Sequence, residues 1–197
     1  RIVGLSATLP NYADVAAFLR VNPETGLFYF DSSFRPVPLQ QQYIGITEPN
    51  PMKRLTALNQ VAYEKALSSV AEGNQVMIFV HARNDCFRTA RAIMDFAIQE
   101  DKLSMFETTE HKLHEAGTRD IQKSRNKQIQ ELWEGGFSTH HAGMLRSDRN
   151  LVERLFSQGL IKVLVCTATL AWGVNLPAHT VIIKGTQIYD AEKGGFM

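Results

Sequence analysis

An α/β fold, a parallel sheet flanked by helices, is what this sequence predicts, on three observations. Leu160-Ile-Lys-Val-Leu-Val165 and Thr180-Val-Ile-Ile183 are apolar runs of strand length, as strands buried on both faces are. Gln75-Val-Met-Ile-Phe-Val80 is a third. Between such runs lie stretches whose apolar residues recur at three and four residues, the helical period. Strand and helix in alternation imply right-handed crossovers, and so a parallel sheet.

Taken in order, Arg1 to Ser6 reads as a strand and Tyr12 to Arg20 as a short helix with Val15, Phe18 and Leu19 as its stripe. Asn11 stands where a cap would. Gly26 to Phe30 reads as another strand. Pro36 and Pro38 interrupt helix and ladder alike, so Ser32 to Pro38 reads as a linker and a domain boundary. Gln40 to Thr47 then looks like the entering strand of a second body. Pro51 is placed to start a helix, with Leu55, Leu58, Val61, Ala62 and Leu67 giving its face to about Ala71. After the strand ending at Val80, Asn84 is positioned to cap a helix carrying Phe87, Ala90, Met94 and Ala97. Asp101 to Gly117 lacks steady periodicity and reads as a mobile insertion. Arg119 to Trp133 reads as one helix, and Leu151, Val152, Leu155 and Phe156 mark another. Tyr189 and Asp190 with a later glycine pair suit a hairpin. The last strand of the sheet is expected to leave an uncovered edge.

Composition narrows the function. With 197 residues, 44% hydrophobic and 21% charged, the chain has room for one full domain and part of another. Cys86 and Cys166 read as reduced core thiols rather than a disulfide framework. No apolar run approaches the ~20 residues that span a bilayer, and the start carries no signal-peptide pattern, so no membrane partner is expected. A net charge of +1 argues against histone-like binding and leaves room for a local groove. A Rossmann-type cofactor enzyme would need G-x-G-x-x-G between its first strand and helix, and none is there.

The strands end in polar or small residues. Thr167, Thr169, Gly173 and Asn175 follow one strand, His81-Ala-Arg83 another, and His140-His-Ala-Gly-Met144 a third. Ligands of open α/β sheets bind at that carboxyl edge, where small residues let backbone amides approach phosphate oxygens. An ordinary strand-to-helix loop has the same chemistry. His140 and His141 lack the ligand-spaced cysteines or acids of a zinc site.

Ser6-Ala-Thr-Leu-Pro-Asn11, Phe79-Val-His-Ala-Arg83, His140-His-Ala-Gly-Met144 and Thr167-Ala-Thr-Leu-Ala-Trp-Gly-Val-Asn-Leu-Pro-Ala-His179 occur in helicase order. They resemble motifs III, IV, IVa and V of superfamily-two DExH helicases, in the Ski-like branch, and within it the amino-terminal cassette of the large tandem-cassette members. The resemblance implies two RecA-like lobes closing around ATP. Residues 1–35 would be the C-terminal tail of the first lobe, with motif III and the start of the linker. Residues 36–197 would be the second RecA-like lobe, truncated before motif VI.

It further implies ATP and Mg2+ as cofactors, with the metal ligands in the absent part of the first lobe. No Walker A lysine, DExH acid pair or motif VI arginine stands in this sequence, so the chain alone is expected to hydrolyse no ATP. By resemblance, Arg83, His141, Ala142, Gly143, Thr167 and Thr169 hold the backbone of single-stranded DNA or RNA. Gly173 and Asn175 face the nucleotide, while Ser6, Ala7 and Thr8 couple nucleotide state to lobe closure. Plain alternatives stand beside these roles: an ion pair for Arg83, local capping for Thr167, a simple turn for Gly173 and Asn175. The implied function is 3′-to-5′ unwinding, in DNA alkylation repair and on collided ribosomes or on paired small nuclear RNAs. A non-catalytic binding cassette is the other class. Other helicase domains and subunits of a nuclear complex are the expected partners, in the nucleus and also the cytosol.

Overall fold

The apolar runs read from the sequence as buried strands pair into one sheet. The computed structural model describes residues 2–7, 9–173, 176–185, 189–190 and 195–196, and these divide into two units, Arg1–Gly45 and Ile46–Met197.

The first unit holds α1 (Tyr12–Phe18) and a single 3₁₀ turn at Ser32–Phe34. Asn11 precedes α1 without a side-chain hydrogen bond to it, so its capping role is corrected. The strands expected at Arg1 to Ser6, Gly26 to Phe30 and Gln40 to Thr47 are corrected too: no described residue among them is in a paired strand. An extended segment becomes a strand only when a neighbour's backbone satisfies its N–H and C=O groups. No described strand does so here, and Ile2, Val3, Leu5, Phe28 and Tyr43 remain exposed.

The second unit runs α2 (Pro51–Ala71), β1 (Val76–Val80), α3 (Arg83–Gln99), α4 (His114–Lys123), α5 (Lys127–Trp133), β2 (Phe137–His140), α6 (Arg146–Ser157), β3 (Val163–Thr167), α7 (Thr169–Gly173) and β4 (Thr180–Ile183). The four strands lie in the order β2-β3-β1-β4, every pair parallel. This is the α/β fold, a RecA-like parallel sheet between helical layers.

Strand periodicity sorts the core into two faces. Val163 and Val165 of β3, with Val76, Ile78 and Val80 of β1, face one cluster with Tyr63 and Ala66 of α2 and Ala90 and Ile93 of α3. Leu164 and Cys166, with Met77, face the other, against Trp133 of α5, Val152 and Phe156 of α6 and Leu170 of α7. The alternation is the two-residue period of a pleated strand buried on both sides. Cys86 and Cys166 are free, buried thiols, one in each cluster.

Helix starts follow local chemistry. Asn50 Oδ1 accepts from the N–H groups of Met52 and Lys53 at 3.0 and 3.2 Å, with Pro51 first in the helix. By contrast, α3 begins after Ala82 without a side-chain cap, so Asn84 lies inside the helix and caps nothing. The helix read over Arg119 to Trp133 is two: Asn126 Oδ1 accepts from Gln128 and Ile129 and starts α5 afresh after Ser124 and Arg125 leave α4.

Asp101 to Gly117 is not a loose insertion. A 3₁₀ turn at Leu103–Met105 drops fully buried Phe106 between Tyr63 and Phe137, ring centroids 6.5 and 5.1 Å away. Thr108 Oγ1 donates to Leu160 O at 3.1 Å. The periodicity is missing because single residues, not a helical stripe, anchor the segment. Beyond β4, Tyr189–Asp190 pairs antiparallel with Gly195–Phe196; the tip between them lies outside the described residues. Among the described residues no helix is long and apolar enough to cross a membrane.

Candidate nucleic-acid interface

Parallel strands in register must end on one edge, and the pairings Val80 with Thr167, His140 with Cys166 and Phe79 with Ile183 fix that edge. The segments that leave it are His81 to Arg83, His141 to Gly143, Ala168 to Thr169 and Lys184 to Gly185. Most of the residues singled out from the sequence lie there.

Arg83, His141 and Gly143 are brought together. A methyl built on Gly143 would lie 3.1 Å from His141 Nδ1 and 3.3 Å from Arg83 Cδ, so glycine is what lets the arginine stem pass so near the turn. The Gly143 N–H donates to His141 Nδ1 at 3.1 Å, and the Met144 N–H donates to His141 O at 3.1 Å. Buried Met144 pins the turn from below, while Arg83, Ala142 and Gly143 are exposed. Burial, then the nearness of Arg83 and His140, hold the His141 imidazole below its ordinary range. At neutral pH it is therefore an uncharged ring beside a guanidinium.

His140, the last residue of β2, points the other way. It is 3% exposed, and its Nε2 donates to Glu153 Oε1 of α6 at 2.7 Å. That bond fixes where β2 stops and where the His141 turn begins. Among the described residues, no group of three His, Cys, Asp or Glu is disposed to hold a metal ion.

At the end of β3, the Thr167 and Thr169 hydroxyl oxygens are 2.9 Å apart. Thr167 is buried and Thr169 exposed, so the inner hydroxyl orients the outer one at the start of α7. Gly173 ends that helix; Asn175 lies outside the described residues, as does Thr8. Ser6 and Ala7 are exposed residues of the first unit.

One edge residue escaped the sequence reading. Lys184, directly after β4, donates from Nζ to Thr89 Oγ1 of α3 at 2.8 Å. Burial pulls its ammonium down to about 8, against the opposing attraction of Asp85. A lysine closing an apolar strand was the available signal. His81 stands over Gly185, whose φ of +83° suits glycine; a methyl there would meet His81 Nε2 at 3.3 Å.

Comparison with known proteins places the chain in a family. Residues 91–194 match the helicase conserved C-terminal domain. The DExH-box ATP-dependent RNA helicase DExH14 of Arabidopsis thaliana is 62% identical over all of this chain. Activating signal cointegrator 1 complex subunit 3 of Mus musculus is 60% identical over the whole chain, and the U5 small nuclear ribonucleoprotein 200 kDa helicase of Drosophila melanogaster is 55% identical over 98% of it. The chain spans 9% of the length of each of these relatives. The parallel sheet, the motif-bearing edge and these matches agree: the chain belongs to the helicase conserved C-terminal domain family, in its Ski-like DExH group.

Proposed function

We propose that this chain supplies the strand-gripping second lobe, residues 36–197, and the tail of the first lobe, residues 1–35, of an ATP-dependent nucleic-acid helicase working 3′ to 5′. The observation that carries the reading is the meeting of Arg83, His141 and Gly143 on the edge where Thr169 also emerges. Short side chains, backbone amides and one guanidinium suit a sugar–phosphate chain and read no bases, as a translocating motor requires. Thr167 acts through Thr169, holding its hydroxyl toward the strand. Ala142 contributes by being small beside the path.

For ATP, the residues present fit an outer contact only. Gly173 closes the short helix after β3, and no G-x-x-x-x-G-K-[ST] is present to cradle the β- and γ-phosphates. Bound with Mg2+ between two lobes, ATP supplies the free energy for movement; the share of this chain is to hold the strand, with Ser6, Ala7 and Thr8 relaying lobe closure. The cellular setting we infer is a nuclear assembly of the kind named for the cointegrator relative, ahead of a spliceosomal one, with identity of 60% against 55%.

In the complete helicase, Arg83→Ala is expected to lower the slope of log Kd against log salt by about 0.7, the value of one single-strand phosphate contact. Fluorescence anisotropy with oligouridine and oligodeoxythymidine measures it. An unchanged slope with both probes would remove the phosphate role of Arg83.

A further inference from the structure

We infer that the strand path runs on past His141 and Gly143 into a cleft between the α4–α5 corner and the start of α6, where one nucleotide sits with its phosphate on Arg125 and its base or sugar face against Leu145. The inference rests on the strand-gripping reading of the sheet edge. The cleft has a volume of about 280 Å³. Arg125, Asn126 and Gln128 line it from the corner, Leu145 and Asp148 from the start of α6, and His141 and Gly143 belong to cleft and edge alike. A strand lying on Gly143 therefore meets this cleft without crossing another element.

Its chemistry suits a nucleotide unit. Arg125 is exposed and makes no ion pair among the described residues, unlike Arg91, Lys102, Lys123 and Arg154. Asn126 has its Oδ1 committed to the α5 start, so what it offers the cleft is its amide N–H group. The one acid, Asp148, is buried and accepts from Ser124 Oγ at 2.8 Å, and Ser124 Oγ accepts in turn from the Asn126 N–H at 3.0 Å. Its carboxylate thus fixes the corner that carries Arg125. Against this acid stands Arg125, the one lysine or arginine that lines the cleft, exposed and not ion-paired among the described residues. On a chain of net charge +1 that is a local positive charge of the kind a phosphate chain follows.

Leu145 supplies the apolar half. It is 66% exposed beside these donors, and its branched carbons gain by being covered. A base or ribose face covers them where a bare phosphate or a metal ion would not. The volume lies just below the roughly 300 Å³ at which small-molecule pockets begin, which suits one unit of a longer ligand.

The test uses the complete helicase with oligouridine and oligodeoxythymidine of equal length, read by anisotropy across a salt series. Arg125→Ala is expected to lower the salt slope by about 0.7, and Arg125→Lys to keep it, because the charge remains. Leu145→Ala is expected to weaken binding several-fold with the slope unchanged. A drop with both probes supports a contact to the shared sugar–phosphate chain; a drop with one probe alone supports the cleft and names RNA or DNA as its occupant. If Arg83→Ala lowers the slope and Arg125→Ala does not, the cleft inference falls while the edge reading stands. If neither does, both fall. Arg125→Lys guards against a folding artefact, since loss of slope there as well overturns the charge argument.

Discussion

Gly143 works by what it lacks. The atoms a β-carbon would press on belong to side chains, the His141 ring and the Arg83 stem, so Gly143→Ala displaces the contact without opening the core. Strand affinity is expected to fall about tenfold, near 1.4 kcal/mol, while the thermal midpoint stays close to that of the parent. Anisotropy and a thermal melt on the same samples check both, and equal affinity would remove Gly143 from the path. His141 adds a pH signature. Its imidazole titrates below the ordinary 6.5, so in the free protein the unfolded chain takes up the proton first. Stability from this residue is complete above pH 6.5 and declines as pH falls through the depressed value. A phosphate at the ring reverses the preference by favouring imidazolium, so strand affinity should rise as pH drops below 6.5. His141→Gln should flatten that rise; a profile as steep as the parent's would place the phosphate elsewhere.

Elements differ in how plainly the sequence announces them. The strands β1, β3 and β4 and the helices α2, α3 and α6 each carry their burial in a local period, so their apolar residues name them. The strand-end residues Arg83, Thr167 and Thr169 share that legibility, because the end of an apolar run marks the sheet edge; His141 and Gly143 follow the mostly polar run Phe137-Ser-Thr-His140 and were legible through the resemblance of their motif. Contacts between distant elements leave no such trace: Lys184 and Thr89 are 95 residues apart. The split between α4 and α5 is masked by a period that runs through it and shows only in the Ser124-Arg-Asn126 interruption. Asp101 to Gly117 was illegible for another reason, since Phe106 and Thr108 anchor it singly. Gly136 completes that anchor: at φ +77° it brings its backbone so near Phe106 O that no β-carbon fits. Phe106→Ala should therefore cost about 3–5 kcal/mol, as for a core aromatic rather than a loop residue. Urea titration of the second unit's unfolding measures it, and a loss under about 1 kcal/mol, the range of surface sites, would show the segment to be detachable.

At the scale of the molecule, the β4 end of the sheet is open. Ile182 packs toward α2 and α3, but Val181 and Ile183 on the opposite face of β4 are 53% and 70% exposed. Among the described residues β4 pairs with β1 alone, so its outer N–H and C=O groups form an unblocked template. A net charge of +1 offers little repulsion between copies. An exposed apolar face, a free edge and near-neutrality all favour association of the 197-residue chain on its own. Charge-driven assembly weakens with added salt, whereas assembly through apolar faces and strand edges does not. Sedimentation velocity across protein concentration and salt should show self-association that salt fails to dissolve, and Ile183→Lys should reduce it by putting a charge on the exposed face. If parent and variant sediment alike as monomers at every concentration, another part of the chain covers this edge, and β4 is not where a neighbouring strand or domain would be received.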